Sequence, residues 1–216
     1  QARLLNQRSK TSQYNTSAIY TAPSGAYSST ADDAFIKRFD IRTPWNQEAV
    51  DNGALLLDGW LSKNYIDAMN GTTYGIFDPR LPLTASITKF GDYRGTRNGG
   101  DRVGNGTSME ESYISLTGYY SSTNSPLYII TYEEMKFTES EAAFRSGDMP
   151  RAYTAYIEGI TANMNKMGVA SAARDTYIGD PSVSVGAANL TLALIFKEKY
   201  KALFLMPVTW DDARRF

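Results

Sequence analysis

The chain contains no cysteine and no histidine among its 216 residues. Without cysteine it can form no disulfide bond and present no thiolate nucleophile, and without histidine it can form no Ser-His or Cys-His catalytic pair. The two absences also remove the usual protein ligands of zinc, copper and haem iron. We therefore predict a protein with no metal site and no cofactor.

An excess of charge of one sign is lacking as well. Lys and Arg together number 22 and Asp and Glu 23, which gives a net charge of -1, and no basic run exceeds two residues. A nucleic-acid-binding domain carries a basic patch, so this class is excluded. The chain has no run of about eighteen apolar residues, the length that could cross a membrane. The residues that follow Gln1 do not have the pattern of a signal peptide. The chain lacks an initiating Met, and its last residues carry the signal for the start of a helix that the sequence does not complete. We therefore expect a truncated piece of a longer protein.

Aromatic residues are plentiful, with fifteen Tyr, nine Phe and three Trp making 12% of the chain. Aromatic rings with a polar edge suit wet binding faces, including those that stack on sugar rings. Filling of the core is the alternative use of any single aromatic side chain.

Composition changes near Ser125-Pro126. Residues 1–125 hold most of the glycines and read as a loop-rich region with short helices, and we take them as the candidate ligand-binding face. Residues 126–216 read as an incomplete helical region. In the first region we predict short helices over 31–38 and over 62–70, the second capped by Ser62.

Two loops are predicted between these helices and the helical region. Pro79 and Pro82 predict a rigid, extended strap over 77–82. The glycine-dense stretch 91–106 predicts a loop.

The helical region carries clear start and stop signals. Thr131 to Glu134 form a capping box that starts a helix near Tyr132, and Gly147 ends it. Asp148 caps a second helix that ends at Gly168. We predict a third helix from about Ala188 to Met206, and a second capping box, Thr209 to Asp212, announces a fourth.

The first two of these helices have a distinctive spacing of small and aromatic residues. Gly147, Ala152, Tyr156 and Gly159 fall at the offsets of a tetratricopeptide repeat. Any close-packed antiparallel helix pair also favours small residues at such positions, so the spacing alone leaves both interpretations open.

Four motifs, in the same order as in a known family, carry a resemblance. They are Asp78-Pro79-Arg80-Leu81-Pro82, Tyr93-Arg94-Gly95, the hairpin from Thr131 to Ile160, and Lys199-Tyr200-Lys201-Ala202-Leu203-Phe204 followed by Pro207, Trp210, Asp212 and Arg214-Arg215. Together they resemble the C-terminal region of the SusD/RagB-like lipoproteins, mainly over residues 62–216. The resemblance implies a mainly α fold of tetratricopeptide-like hairpins with long irregular loops.

The resemblance also implies a function. Members of the family are non-catalytic glycan-binding proteins on the surface of the outer membrane of Bacteroidota, where they capture oligosaccharides or peptides and deliver them to a SusC-like TonB-dependent transporter. Their lipid anchor is an N-terminal cysteine, which this chain lacks. The alternative is a peptide- or protein-docking helical-repeat module of the same uptake system.

The resemblance assigns no binding residues, so we select them by chemical type within residues 40–125. Flat rings and planar donors on loops match sugar hydroxyls and sugar faces. Trp45 could instead fill a small apolar cluster, and the other residues could belong to a solvated loop. The candidate ligand-binding residues are Trp45, Tyr74, Tyr93, Arg94, Arg97 and Asn98.

Other aromatic and acidic residues are weaker candidates. Trp60 is placed to staple the helix that Ser62 caps, Trp210 is expected to pack the last helix, and Tyr119-Tyr120 precede a polar loop. The stretch from Asn98 to Asn105 could offer oxygen atoms to calcium, but it has too few acidic residues for a calcium loop.

A glycoside hydrolase is the rival from another functional class, because such an enzyme needs two carboxylates across a cleft. The acidic residues near the first helix of the hairpin are numerous enough to be considered. Their helical placement favours a solvated face instead, so we predict no catalytic residue. These four residues are Glu133, Glu134, Glu139 and Glu141.

Overall fold

The computed structural model describes residues 1–23, 25, 27–53, 59–100 and 108–215. The chain divides into two compact units. Unit 1 is built from two separate segments, Gln1–Ala34 and Tyr128–Phe216, and unit 2 is the continuous segment Phe35–Leu127. The change of composition near residue 125 lies close to the boundary between Leu127 and Tyr128, where unit 2 ends. Residues 1–34, in contrast, belong to the same unit as the helical region.

The described residues are mainly helical. The α-helices in chain order are α1 (Ala2–Asn6), α2 (Thr16–Thr21), α3 (Pro44–Gly53), α4 (Lys63–Met69), α5 (Tyr132–Ser146), α6 (Met149–Met167), α7 (Ser171–Gly179), α8 (Leu192–Ala202) and α9 (Val208–Arg215). Two short strands, β1 (Ala34–Ile36) and β2 (Leu127–Ile130), lie where the chain passes between the units. None of the helices described is long and apolar enough to cross a membrane.

Helices α5 and α6 form the predicted hairpin of unit 1. The Thr131 hydroxyl accepts a hydrogen bond from the Glu134 amide at 3.3 Å, and the Asp148 carboxylate accepts one from the Arg151 amide at 3.2 Å. Each helix ends at a left-handed glycine, Gly147 with φ +84° and Gly168 with φ +77°. The start and stop signals therefore placed both helices correctly.

The hairpin packs through the small residues that the repeat spacing singled out. Ala152 and Tyr156 are fully buried. A Cβ atom at Gly159 would lie 3.0 Å from the Phe137 ring, so glycine lets α6 approach α5 closely. Ser140 adds a hydrogen bond from its hydroxyl to the Ala152 carbonyl at 2.8 Å. The mainly α, tetratricopeptide-like fold is confirmed.

Helix α4 of unit 2 also follows its prediction. The Ser62 hydroxyl accepts a hydrogen bond from the Tyr65 amide at 3.2 Å. Tyr65, Ile66 and Met69 are buried, and Gly71 takes the left-handed conformation with φ +92°. This amphipathic helix anchors unit 2.

The predicted helix over 31–38 is wrong. Residues Thr30–Asp32 form one 3-10 turn and the chain then becomes extended as β1. The Asp33 carboxylate accepts a hydrogen bond from the Tyr132 amide at 2.7 Å and pairs with Lys166 at 2.8 Å. These partners from distant parts of the chain draw the segment out of a helical path.

The predicted third helix, from Ala188 to Met206, is shorter in the structure. A 3-10 turn, Ala187–Asn189, precedes α8, whose start is set by the Thr191 hydroxyl accepting from the Leu194 amide at 3.2 Å. The last helix, α9, begins at Val208, and the Thr209 hydroxyl donates to the Met206 carbonyl at 2.8 Å rather than capping it. Helix α7 was not predicted.

The two-proline strap over 77–82 is not extended. Asp78 and Arg80 are fully buried and form an ion pair, with the Arg80 Nη2 atom 2.6 Å from the Asp78 Oδ2 atom. The Asp78 carboxylate also accepts the Arg80 backbone N–H at 3.0 Å, which closes a turn before the 3-10 segment Leu81–Leu83. A buried charge must be paired, and the ion pair between these neighbouring residues stabilises a turn in place of an extended strap.

Candidate functional site

The segment 88–96 of unit 2 carries Tyr93 and Arg94 on a fixed backbone. On one side, the Thr96 amide donates to the Leu61 carbonyl at 2.8 Å and the Lys63 amide donates to the Thr96 carbonyl at 2.7 Å. On the other side, the Ser112 amide donates to the Arg94 carbonyl at 2.7 Å. This part of the predicted loop is therefore anchored on both edges.

Gly95 makes this anchoring possible. A Cβ atom at this position would lie 2.5 Å from the Lys63 Cα atom and 2.6 Å from the Ser62 carbonyl oxygen. Both neighbours are backbone atoms at the start of α4, so they cannot rotate away. The Tyr-Arg-Gly motif is thus a place where two backbones touch, and it presents the two preceding side chains beside α4.

Arg94 is held in place by Phe90 and Asp92. The guanidinium carbon lies 4.1 Å from the centroid of the Phe90 ring, and the Arg94 Nη2 atom is 2.7 Å from the Asp92 carboxylate. Hydrogen bonds from Arg94 and Thr88 lower the pKa of Asp92, so the carboxylate stays charged at neutral pH. Half of the Arg94 side chain is exposed, and its N–H groups not used by Asp92 can donate to a ligand.

Tyr93 joins this segment to the turn that follows α4. Its ring centroid lies 6.2 Å from that of Phe77, and its carbonyl accepts a hydrogen bond from the Asn70 side chain at 3.3 Å. Burial raises the pKa of Tyr93, so the phenol remains a neutral donor and acceptor. The same turn carries Tyr74, which is 38% exposed.

Two contacts, Phe77 with Tyr93 and Arg94 with Phe90, lie on this segment and on the adjoining turn, and we call their residues together with Tyr74 the aromatic surface. Three of its rings, Tyr74, Phe77 and Phe90, are each more than a third exposed. Sequence reasoning selected three of the five members and missed both phenylalanines, since their exposure depends on the turn and on the Arg94 stack. The aromatic surface consists of Tyr74, Phe77, Phe90, Tyr93 and Arg94.

The remaining predicted site residues are not among the members of the aromatic surface. Arg97 and Asn98 are exposed in a turn closed by the Gly100 amide donating to the Arg97 carbonyl at 3.1 Å. Trp45 is half-buried on α3, next to Asn46, which is buried and donates to the Ser121 carbonyl at 2.7 Å.

The weaker candidates lie in different environments. Trp60 packs edge-on against buried Tyr113, with ring centroids 4.5 Å apart. Trp210 is 69% exposed, so the expectation that it packs the last helix is wrong for this chain. The possible calcium loop extends into residues 101–107, outside the described residues, and no cluster of three acidic side chains suited to a metal occurs in the described part of the chain.

The acidic residues of α5 are not a solvated face. Glu133, Glu134 and Glu141 are fully buried, and each is paired with a cation. Glu134 binds Arg3 at 2.5 Å instead of returning to its own cap, so only half of the predicted capping box forms. Burial raises the pKa of Glu133 despite its partner Lys166.

The end of the resembling motif completes this buried network. Arg215 pairs with both Glu141 and Asp212, and Lys199 lies 2.7 Å from Asp212. Burial alone would raise the pKa of Glu141, but hydrogen bonds and the charge of Arg215 outweigh it and lower that pKa. The charged motif residues thus tie α9 and α8 to α5 in the interior of unit 1.

Several solved structures are similar to this chain in fold. A SusD homologue from Bacteroides fragilis superposes with a TM-score of 0.73 at 18% identity, over 99% of this chain and 51% of the homologue. A chitin-binding protein gives a TM-score of 0.74 at 19% identity, over 99% of this chain and 49% of that protein. A SusD homologue from Parabacteroides distasonis gives 0.69 at 18% identity, over 100% and 51%. The chain therefore spans about half the length of these structures.

The fold of this chain is that of the SusD homologues. A SusD-like family model, described as starch-binding and associating with the outer membrane, matches residues 3–216. The chain belongs to this SusD-like family. Comparison with curated proteins gives no match.

Proposed function

We propose that the protein captures a neutral oligosaccharide on the aromatic surface of unit 2, without catalysis, at the cell surface. The observation that carries the proposal is the patch of exposed rings beside an Arg94 guanidinium already oriented by Phe90 and Asp92. Aromatic faces stack on the apolar faces of sugars, and planar N–H donors bind hydroxyl groups. Little side-chain freedom is then lost on binding.

The family description and the solved structures support a glycan as the ligand. The matched family is described as starch-binding, and one similar structure is a chitin-binding protein. Both polymers are built of neutral pyranose rings. We extend this to the chain as capture for delivery to a SusC-like TonB-dependent transporter of the outer membrane.

The proposal of a non-catalytic role rests on the acidic residues of α5. A glycoside hydrolase needs two carboxylates that face its substrate, one as acid and one as base or nucleophile. Glu133, Glu134 and Glu141 are instead buried and paired with cations. They stabilise the helical unit and offer no such pair.

The test is calorimetric titration of the protein with maltoheptaose and chitohexaose, with release of reducing ends followed in the same samples. We expect binding without release. Tyr93→Ala and Arg94→Met should each weaken binding about 5- to 30-fold, because each removes a contact worth about 1–2 kcal/mol. Trp210→Ala, which removes an exposed aromatic side chain from unit 1, is the matched control and should bind as the parent does.

The outcomes separate the alternatives. Release of reducing ends would overturn the non-catalytic role. Binding that survives Tyr93→Ala and Arg94→Met but is lost in Trp45→Ala would move the site to α3. Binding of short peptides in place of both glycans would favour the peptide-docking alternative.

A further inference from the structure

A second cluster of aromatic side chains surrounds a pocket in unit 1. Its volume is about 210 Å³, and its lining includes three half-buried tyrosines from α2, the segment after it and α5. We call it the tyrosine pocket. It is lined by Tyr20, Pro23, Tyr27, Tyr132, Met135, Lys136 and Glu139.

The α5 wall of the tyrosine pocket is one helical face. Tyr132, Met135, Lys136 and Glu139 are three or four residues apart, which places their side chains along a single stripe. Met135 is buried, whereas Tyr132, Lys136 and Glu139 are half-buried. The stripe therefore presents an aromatic ring, an apolar floor and two polar ends to the same cavity.

The Tyr20 wall is fixed by α6. The Arg151 guanidinium carbon lies 3.8 Å from the Tyr20 ring centroid, and the Arg151 Nε atom lies 2.8 Å from the Glu139 carboxylate. The Tyr20 hydroxyl lies 3.1 Å from the Ser146 hydroxyl. Since Arg151 lies over the Tyr20 ring and the Lys136 ammonium lies 5.5 Å from the Tyr132 ring centroid, we expect a ligand to stack mainly on Tyr27.

The charges around the pocket neutralise one another. Lys136 lies 2.7 Å from Glu158 and 3.3 Å from Glu139, and Glu139 also binds Arg151. Burial alone would lower the pKa of Lys136, but the hydrogen bond that Lys136 donates to Glu158 and the charges of Glu139 and Glu158 raise it, so the ammonium group stays charged. These two cations and two carboxylates are therefore paired with one another on the α5 side of the pocket.

Size and chemistry then limit the ligand. Pockets for drug-sized ligands measure about 300–1,000 Å³, so 210 Å³ suits one ring rather than a long ligand. Burial and the charges of Asp33 and Glu134 raise the pKa of Tyr27, which keeps its hydroxyl protonated as a hydrogen-bond donor. Flat rings, neutral hydroxyls and internally paired charges together match a single uncharged, polyhydroxylated ring.

We infer that the tyrosine pocket binds one neutral pyranose unit, as a second glycan contact in unit 1 that is independent of the aromatic surface of unit 2. The inference deepens the proposed function, because it names the ligand as a single uncharged ring. It predicts that small glycosides bind even when the aromatic surface has been removed by substitution.

The test is a titration of the protein, carrying ¹³C-labelled tyrosine rings, with methyl α-glucoside and with methyl N-acetyl-β-glucosaminide. We expect the ring signals of Tyr20, Tyr27 and Tyr132 to shift with at least one glycoside. Tyr27→Ala should weaken that binding about tenfold, and Tyr27→Phe should weaken it only about two- to threefold, since the stacking face remains.

Controls separate this site from the surface in unit 2. Tyr153→Ala removes another half-buried tyrosine, on α6, and should leave glycoside affinity unchanged. Tyr93→Ala should leave the shifts of the pocket tyrosines intact even if it abolishes binding of maltoheptaose. Circular dichroism confirms that each variant is folded, and the shifts in the unsubstituted protein test the inference if Tyr27→Ala does not fold.

Three results would overturn the inference. The first is the absence of shifts in the three pocket tyrosines with either glycoside. The second is a stronger response of those tyrosines to glucuronate or to tetramethylammonium, which would assign the pocket to an ion. The third is loss of the pocket shifts in Tyr93→Ala, which would mean that unit 1 has no site of its own.

Discussion

Replacing Gly95 with alanine should destabilise unit 2 and weaken ligand binding at the same time. The added methyl group would lie 2.5 Å from the Lys63 Cα atom and 2.6 Å from the Ser62 carbonyl oxygen, about 1 Å closer than ordinary van der Waals contact. Both atoms belong to the backbone at the N-terminus of α4. The segment 88–96 must therefore move away from α4.

That movement stretches two backbone hydrogen bonds, from Thr96 to Leu61 and from Lys63 to Thr96. Each contributes about 0.5–1.5 kcal/mol, and overpacking adds a further ~1–3 kcal/mol, of which part is relieved by the movement. We expect the free energy of unfolding to fall by about 2–4 kcal/mol. Because Tyr93 and Arg94 precede Gly95, glycan affinity should fall as well.

Urea denaturation followed by tryptophan fluorescence measures this effect, since Trp45 and Trp60 both lie in unit 2. At a slope of about 2 kcal/mol per molar urea, the midpoint should fall by about 1–2 M. Gly179→Ala is the control, because a Cβ atom there meets nothing within 4 Å. A midpoint for Gly95→Ala within experimental error of the parent would refute the argument from close approach.

Three further variants test the buried interactions. Arg80→Met should cost about 3–5 kcal/mol, because it removes the buried cation that pairs with the Asp78 carboxylate, and the unfolding free energy should recover in part when Asp78→Asn is added. Gly159→Ala should cost about 1–3 kcal/mol, because its methyl group would press on the Phe137 ring at 3.0 Å; an unchanged melting temperature would contradict this. The pKa of Glu141 is lowered in the folded state, so its stabilisation is present above the unfolded value of about 4.5 and is lost as pH falls through the folded pKa. Melting temperatures between pH 6 and pH 3 should therefore fall less steeply in Glu141→Gln than in the parent, and parallel curves would contradict the assignment.

Local signals in the sequence were sufficient for the hairpin of unit 1. Thr131, Gly147, Asp148 and Gly168 act on their own helix ends, so their effect can be predicted without knowledge of the fold. The same holds for Ser62 at the start of α4. Four family motifs in order then supplied the tertiary arrangement that no single helix signal contains.

The predictions that failed depend on partners distant in sequence. The sequence around Glu134 predicts a capping residue on a solvated helix face. In the structure its carboxylate is buried and binds Arg3, which is 131 residues away. Glu141 is paired with Arg215, which is 74 residues away. Asp33 is held by Lys166, and this pairing replaces the predicted helix over 31–38 with an extended strand.

The candidate binding surface was predictable in part for the same reason. Tyr74, Tyr93 and Arg94 stand out by residue type and by their place near glycines. Phe77 and Phe90 do not, because a phenylalanine in sequence gives no sign that it will be exposed. The contact of Phe77 with Tyr93 and the stack of Arg94 on Phe90 place each phenylalanine beside a residue that the sequence had indicated.

Unit 1 consists of two segments that are separated in sequence by unit 2, and this arrangement fixes the order in which its parts leave the ribosome. Its first segment, Gln1–Ala34, is synthesised about 90 residues before α5, so Arg3 emerges well ahead of its partner Glu134. At roughly 5–20 residues per second, this delay lasts on the order of 5–20 s, during which Phe35–Leu127 emerges as one uninterrupted piece. The contacts that join Gln1–Ala34 to α5 can therefore form only after all of unit 2 has been synthesised.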